Sequence, residues 1–135
     1  MDTVIKDDIT IVKSITTKYG LIEFRSDNIL TYHPNNDSTQ FTLPELKKIV
    51  SVFVEITDGK PVPYYCDISS FTNDSSQECK AYMKETLHTF ASLCAVVKKS
   101  SIITYLANMF IYLYKPKVPT KLFNNKQVAI KWLKE

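Results

Sequence analysis

The chain has 135 residues, 44% hydrophobic and 23% charged, the size and make-up of one globular domain able to bury a core without disulfides or metal. Seventeen basic against fourteen acidic residues leave a formal charge of +3, too small an excess for the dense basic stripe that nucleic acid requires. Cys66, Cys79 and Cys94 are an odd set without C-x-x-C spacing, far in sequence from His33 and His88, so no zinc site with its about four close ligands is expected.

The stretch from Ile9 to Ser14 is β-prone and either extends a sheet edge or stays irregular. Gly20 opens Leu21–Arg25, which alternates like a half-buried strand; Ser26-Asp27-Asn28 is turn chemistry, and Ile29 to His33 returns as a second strand. After the loop Pro34–Ser38, Thr42 stands three residues before Glu45 with Pro44 between, a capping box with a first-turn proline. Leu46, Ile49, Val50, Phe53 and Val54 then mark one face of a helix that Asp58-Gly59 stops.

Pro61 and Pro63 delay the next strand, since neither can donate to a ladder. Tyr64–Ile68 is a short, nearly continuous apolar run, as expected of a strand covered on both faces. Ser75-x-x-Glu78 predicts a capping box for a second helix with Cys79, Tyr82, Met83 and Leu87 inward. Phe90 to Val97 reads as a buried parallel strand, and Ser100 or Ser101 caps a third helix running to about Lys115, where Pro116 and Pro119 end it. Thr120–Phe123 is a further short strand, and Asn124 or Asn125 caps a last helix with Val128, Ala129, Trp132 and Leu133 inward.

The order β-β-α-β-α-β-α-β-α predicts an α/β fold: a mixed sheet of about five strands, parallel after its first pairing, with about four helices. One domain is expected over residues 1–135, with 1–16 the less certain N-terminal part. The cysteines each fall on an apolar face as buried thiols, a pattern that suits a reducing compartment. Met1–Asp8 carries acids where a signal peptide has bases, and the most apolar stretch, Ile102–Tyr114, is 13 residues against the about 20 of a membrane span. A soluble cytoplasmic protein is expected.

This element order is similar to that of the STAS domain, the fold of the bacterial anti-sigma-factor antagonist SpoIIAA. Thr57–Pro63, Asp67 after a short strand, Lys115–Phe123 and Ala129–Leu133 resemble small bacterial SpoIIAA-like or STAS/SEC14-like proteins, from about Thr17 to the C-terminus. The resemblance implies a regulatory, protein-interacting role, in which a serine just after an aspartate at the start of the second helix is phosphorylated by a partner kinase. Here Asp74-Ser75-Ser76 stands at that place, with Gln77 where the family has glycine and a loop about one residue shorter. The candidate phosphoacceptors are therefore Ser75 and Ser76. A phosphate at a helix N-terminus meets free N–H groups, although the same hydroxyl serves equally well as an unmodified cap. Kinship of fold with SEC14-type carriers implies the alternative role, a carrier or sensor of a hydrophobic ligand.

Two further surfaces stand out. Lys98-Lys99-Ser100-Ser101 leaves a parallel strand and enters a helix, at the sheet edge where α/β folds usually hold ligands; with Lys117 these residues are candidates for an anion or lipid head group, or else an ordinary solvated strand exit. The third helix is apolar on more than one face, so Ile103, Leu106, Phe110, Leu113 and Tyr114 form a candidate surface for a dimer partner, an apolar ligand or a membrane surface. Asp67 with His33 or His88 is the nearest thing to a dyad, but nothing in the sequence places them together, and no motif of hydrolase, nucleotide or metalloprotease chemistry occurs. The expectation is a non-enzymatic module that needs no cofactor.

Overall fold

Strand pairing turns the alternating patterns into one six-stranded sheet whose strands lie in chain order. The computed structural model describes residues 9–35, 42–69, 76–98 and 117–135. Within them run β1 (Ile11–Thr17), β2 (Gly20–Arg25), β3 (Leu30–Pro34), helix α1 (Leu43–Ile56), β4 (Val62–Asp67), helix α2 (Gln77–Thr86), β5 (Ala91–Val97), β6 (Thr120–Phe123) and helix α3 (Lys126–Lys134). A short 3-10 turn, Leu87–Thr89, joins α2 to β5. The expected helix from Ser100 or Ser101 to Lys115 lies outside the described residues.

β1, β2 and β3 pair antiparallel, while β3 to β6 pair parallel, the mixed sheet that the element order predicts. The β-prone N-terminal stretch is a strand, shifted toward the chain's interior, and it raises the strand number to six rather than about five. Its turn closes on Gly20, whose φ is +129° and where a Cβ would overlap the His33 carbonyl of β3. The turn is also tied to α1. The Tyr19 hydroxyl donates to the Glu45 carboxylate, the Tyr32 hydroxyl donates to the Tyr19 carbonyl at 3.0 Å, and Asn35 Nδ2 donates to the Lys18 carbonyl at 2.8 Å. Hydrogen bonds from Tyr19 and from Thr42 hold the Glu45 carboxyl down at about 2.

The helices start and stop where the local chemistry says. Thr42 and Glu45 form the reciprocal capping box of α1, and Asp58 and Gly59, with φ of 54° and 70°, turn the chain out of it. At α2 the cap is Ser76 rather than Ser75: its Oγ accepts from the Cys79 N–H at 3.2 Å. The sequence offers two adjacent serines, and the helix begins one residue later than the Ser75-x-x-Glu78 spacing predicts, with Cys79 buried as expected. Asn125 caps α3 through Val128 N–H, yet Val128 itself is 54% exposed rather than inward, because Ala129 and Leu133 already face the sheet.

Two cores result, one on each sheet face. Ile22, Leu30, Tyr32, Tyr64 and Cys94 meet α1 and α2 on one side; Ile29, Tyr65, Ala95, Val97 and Phe123 meet α3 on the other. Phe53 is the hub of the first core, with ring centroids 5.4 Å from Tyr32, 5.5 Å from Tyr64 and 4.9 Å from Phe90. It is fully buried, so Phe53→Ala removes a ring that three others pack against. The expected loss is about 3–5 kcal/mol of unfolding free energy in urea titration; a loss under about 1 kcal/mol would show that the cluster does not hold the core.

Candidate functional site

Because β3 to β6 run parallel, their C-terminal ends share one edge: Pro34, Asp67, Val97 and Phe123. This is the edge where open α/β sheets bind ligands. Tyr32 pairs with Cys66, so the next step along both strands brings His33 beside Asp67. The sequence could not place these two together; the parallel register does. Residues Thr31 and His33 of β3, Tyr65 and Asp67 of β4, and Glu23 of β2 all share the α3 side of the sheet, since side chains alternate and Glu23 pairs with Thr31. His88 is elsewhere, in the turn before β5 at the opposite edge.

The His33 ring lies 5.7 Å from that of Tyr65, and its Nε2 is 4.0 Å from Glu23 Oε1. Lys126, the first residue of α3, places its ammonium 6.0 Å from the Tyr65 ring centroid. Burial lowers the His33 pKa and Lys126 lowers it further, against the pull of Asp67 and Glu23, so the imidazole is neutral at pH 7. A shallow cavity of about 230 Å³ opens beside it, lined also by Ile9, Ile11, Arg25 and Thr31.

Most polar groups around this cavity are already engaged. Asp67 accepts from the Ser69 amide at 2.9 Å, from the Ser69 hydroxyl, and from Tyr65 at 3.4 Å, the pattern of an aspartate closing its own turn. The Thr31 hydroxyl donates to the Glu23 carbonyl. Arg25 grips Asp27 through Nε and Nη2 at 3.1 and 2.8 Å, and Lys134 adds a contact at 3.4 Å. Burial pushes Asp27 up, but the Arg25 hydrogen bonds and charge, with Lys134, outweigh it and hold the carboxyl below its usual value. No set of three His, Cys, Asp or Glu side chains that could hold a metal ion occurs among the described residues.

The thiols are structural. Cys79 and Cys94 are buried, and burial raises the Cys94 pKa strongly; Cys66 is partly exposed as a residue, yet burial of its thiol pushes it up to about 12. At such values the nucleophilic thiolate is absent near neutral pH.

The other predicted sites divide. Ser76 is exposed at the start of α2, and α2 ends one turn before β5 begins, so Ser76 lies toward the edge where β4 and β5 end. Lys98 leaves β5 with its amide bonded to the Phe123 carbonyl at 2.8 Å, and Lys117 is exposed before β6. Ser75, Lys99, Ser100, Ser101, Ile103, Leu106, Phe110, Leu113 and Tyr114 lie outside the described residues. Glu23, Tyr65 and Lys126, which surround His33, were not foreseen; strand alternation put His33 and Thr31 on one face, but the partners come from β2, β4 and α3.

Residues 22–135 match the profile of a family described as Domain of unknown function (DUF7793). No curated protein matches the chain. Among solved structures, an uncharacterized protein of the DUF3478 family from Shewanella loihica PV-4, described as having a SpoIIAA-like fold, is similar over 93% of both chains with a TM-score of 0.57 at 14% identity. At that identity the likeness is one of fold, and it bears out the SpoIIAA-like architecture expected from the element order. No helix among the described residues is long and apolar enough to cross a membrane.

The lowered pKa of His33 has a definite consequence for stability. An imidazole that resists protonation in the fold binds fewer protons than in the unfolded chain, so it opposes unfolding fully above the unfolded value of about 6.5 and loses that effect as pH falls through the folded one. The thermal midpoint of the wild type should therefore fall more steeply below about pH 6.5 than that of His33→Gln. Parallel curves for the two proteins would mean that His33 titrates as it does in solution.

Proposed function

The chain belongs to the DUF7793 family and has a SpoIIAA-like fold, and on that premise we propose that it is a non-enzymatic regulatory module that binds a protein partner under the control of a serine at the start of α2. The observation that carries this reading is the position of Ser76: exposed, N-capping a ten-residue helix, at the point where the resemblance to SpoIIAA calls for a phosphoacceptor. A phosphate there replaces a neutral cap by a dianion at the positive end of the helix, beside N–H groups with no intrahelical partner. The modification adds charge and strong acceptors to the surface without disturbing the fold, which is what a switch on a binding surface needs.

Two features support the non-enzymatic part. Asp67, one half of the nearest thing to a dyad, accepts hydrogen bonds from Ser69 and Tyr65, and burial raises the pKa of the Cys66 and Cys94 thiols, which keeps both protonated near neutral pH. The module is proposed to act in the cytoplasm, in keeping with its odd number of cysteines and the burial of Cys79 and Cys94.

Asp is itself a good N-cap, so Ser76→Asp mimics the charge while keeping the helix; Ser76→Ala removes both, at a cost of about 1 kcal/mol in stability. Affinity capture from the native host, with quantitative mass spectrometry, should recover one partner with the wild type and Ser76→Ala and change its yield at least tenfold with Ser76→Asp. Phosphopeptide mapping of the purified native protein then assigns the modification to Ser75 or Ser76. Equal recovery by all three forms, with no phosphate on either serine, would defeat the proposal.

A further inference from the structure

β1 is the open edge of the sheet. It pairs with β2 and with no other strand among the described residues, so its outer row of backbone N–H and C=O groups is free for another strand. The large hydrophobic side chains exposed among the described residues are concentrated there: Ile11, Val12 and Ile15 are 46%, 57% and 38% exposed, and Val128 of α3 stands apart from them. The strand carries one charge, Lys13, and no proline or glycine over its seven residues. A natural edge is usually guarded more heavily.

We propose that this edge pairs with the same edge of a second copy, antiparallel, about a two-fold axis through Ile15. The sequence of β1 favours its own copy as the occupant. From Lys13 to Thr17 the strand is in register with β2 without interruption, and Ile15 is the middle of that run. About Ile15, Lys13 meets Thr17, Ser14 meets Thr16 and Ile15 meets Ile15, so no like charges oppose one another and β-branched side chains lie opposite each other. An axis through Lys13 would set lysine against lysine. One through Ser14 would carry the irregularity between Ile11 and Lys13 into both ends of the new ladder.

The arrangement is closed. Each copy uses its single β1 edge, so the pairing doubles the sheet and stops, leaving the four-residue β6 at each outer end. It is also weak. A strand of seven residues spans about 24 Å and covers much less than the roughly 800 Å² per partner of a standard interface. Dimer formation therefore belongs to the micromolar range or above, and it is independent of the serine at the start of α2.

Sedimentation velocity on the full chain, from about 10 µM to about 1 mM, should show a monomer giving way to a dimer. Ile15→Lys, which sets two lysines face to face at the axis, should stay monomeric at the top concentration while keeping its far-UV circular dichroism. Ile15→Cys supplies a readout that does not depend on that variant folding. Opposed residues across a ladder lie within disulfide reach, so mild oxidation should cross-link Ile15→Cys at least tenfold faster than Val128→Cys, which is exposed on α3. A chain that is monomeric throughout, a dimer that survives Ile15→Lys, or equal cross-linking rates for the two cysteine variants would overturn the proposal. A monomeric chain whose β1 is protected from hydrogen exchange only with a partner protein added would assign the edge to that partner instead.

Discussion

Everything in this fold depends on β4 being buried on both faces. Tyr64 and Tyr65 are successive residues, so the pleat sends them to opposite sides, and both are at most 3% exposed. Tyr64 enters the aromatic cluster with Phe53 and Phe90; Tyr65 lies in the core that α3 covers. Two large rings back to back require a helix layer above and another below, and they fix which face each neighbouring strand residue takes. β3 and β5 pair parallel with β4, and their C-terminal ends form the edge where His33, Asp67 and Lys98 lie.

Burying tyrosines brings their hydroxyls inside, and each needs a partner. Tyr32 reaches the carbonyl of Tyr19, and Tyr65 reaches Asp67. Among the described residues no buried side-chain nitrogen or oxygen lacks a hydrogen bond. The polar groups on the α3 side of the sheet are thus partly structural: Asp67 serves Tyr65 and its own turn at once. His33 differs, since its Nε2 stands 4.0 Å from the Glu23 carboxylate and the charge of Lys126 opposes the pull of Asp67 and Glu23. A group held that loosely keeps its freedom to contact a ligand, whereas Asp67 is engaged by Ser69 and Tyr65.

The two ends of the sheet are unlike. The parallel half is sealed by α1 and α2 on one face and α3 on the other. The antiparallel half reaches outward as the hairpin of β1 and β2, anchored through Tyr19 and Asn35 but open along its outer edge. The role proposed above, binding another protein, needs surface not required by the core. Here the exposed edge of β1 and the N-terminus of α2 are such surface, on different elements and with different chemistry, one apolar and strand-like and the other a polar helix end.

Local chemistry was legible in the residues alone. The capping box at Thr42 and Glu45, the stop at Asp58-Gly59, the two-sided burial of the Tyr64–Ile68 run at Tyr64 and Tyr65, and the mixed sheet all follow from hydrogen-bonding needs and apolar periodicity within a few positions of the chain. The misreadings were local as well, and each has a tertiary reason. Ser75 and Ser76 are adjacent cap candidates in the sequence, and in the fold Ser76 takes the cap through the Cys79 N–H. Val128 fits an inward stripe until Ala129, with its small side chain, becomes the residue that lets α3 approach the sheet. The polar cluster around His33 was beyond reach for a stronger reason: Glu23, His33, Tyr65 and Lys126 come from four elements, and only the register between strands brings them together. Among the described residues, β1 apart, the strands and helices and most of the faces they bury could be read from the residues, because those are short-range demands. Tertiary structure alone decided which side chains meet across them, because strand order and register are set by the packing of the whole sheet.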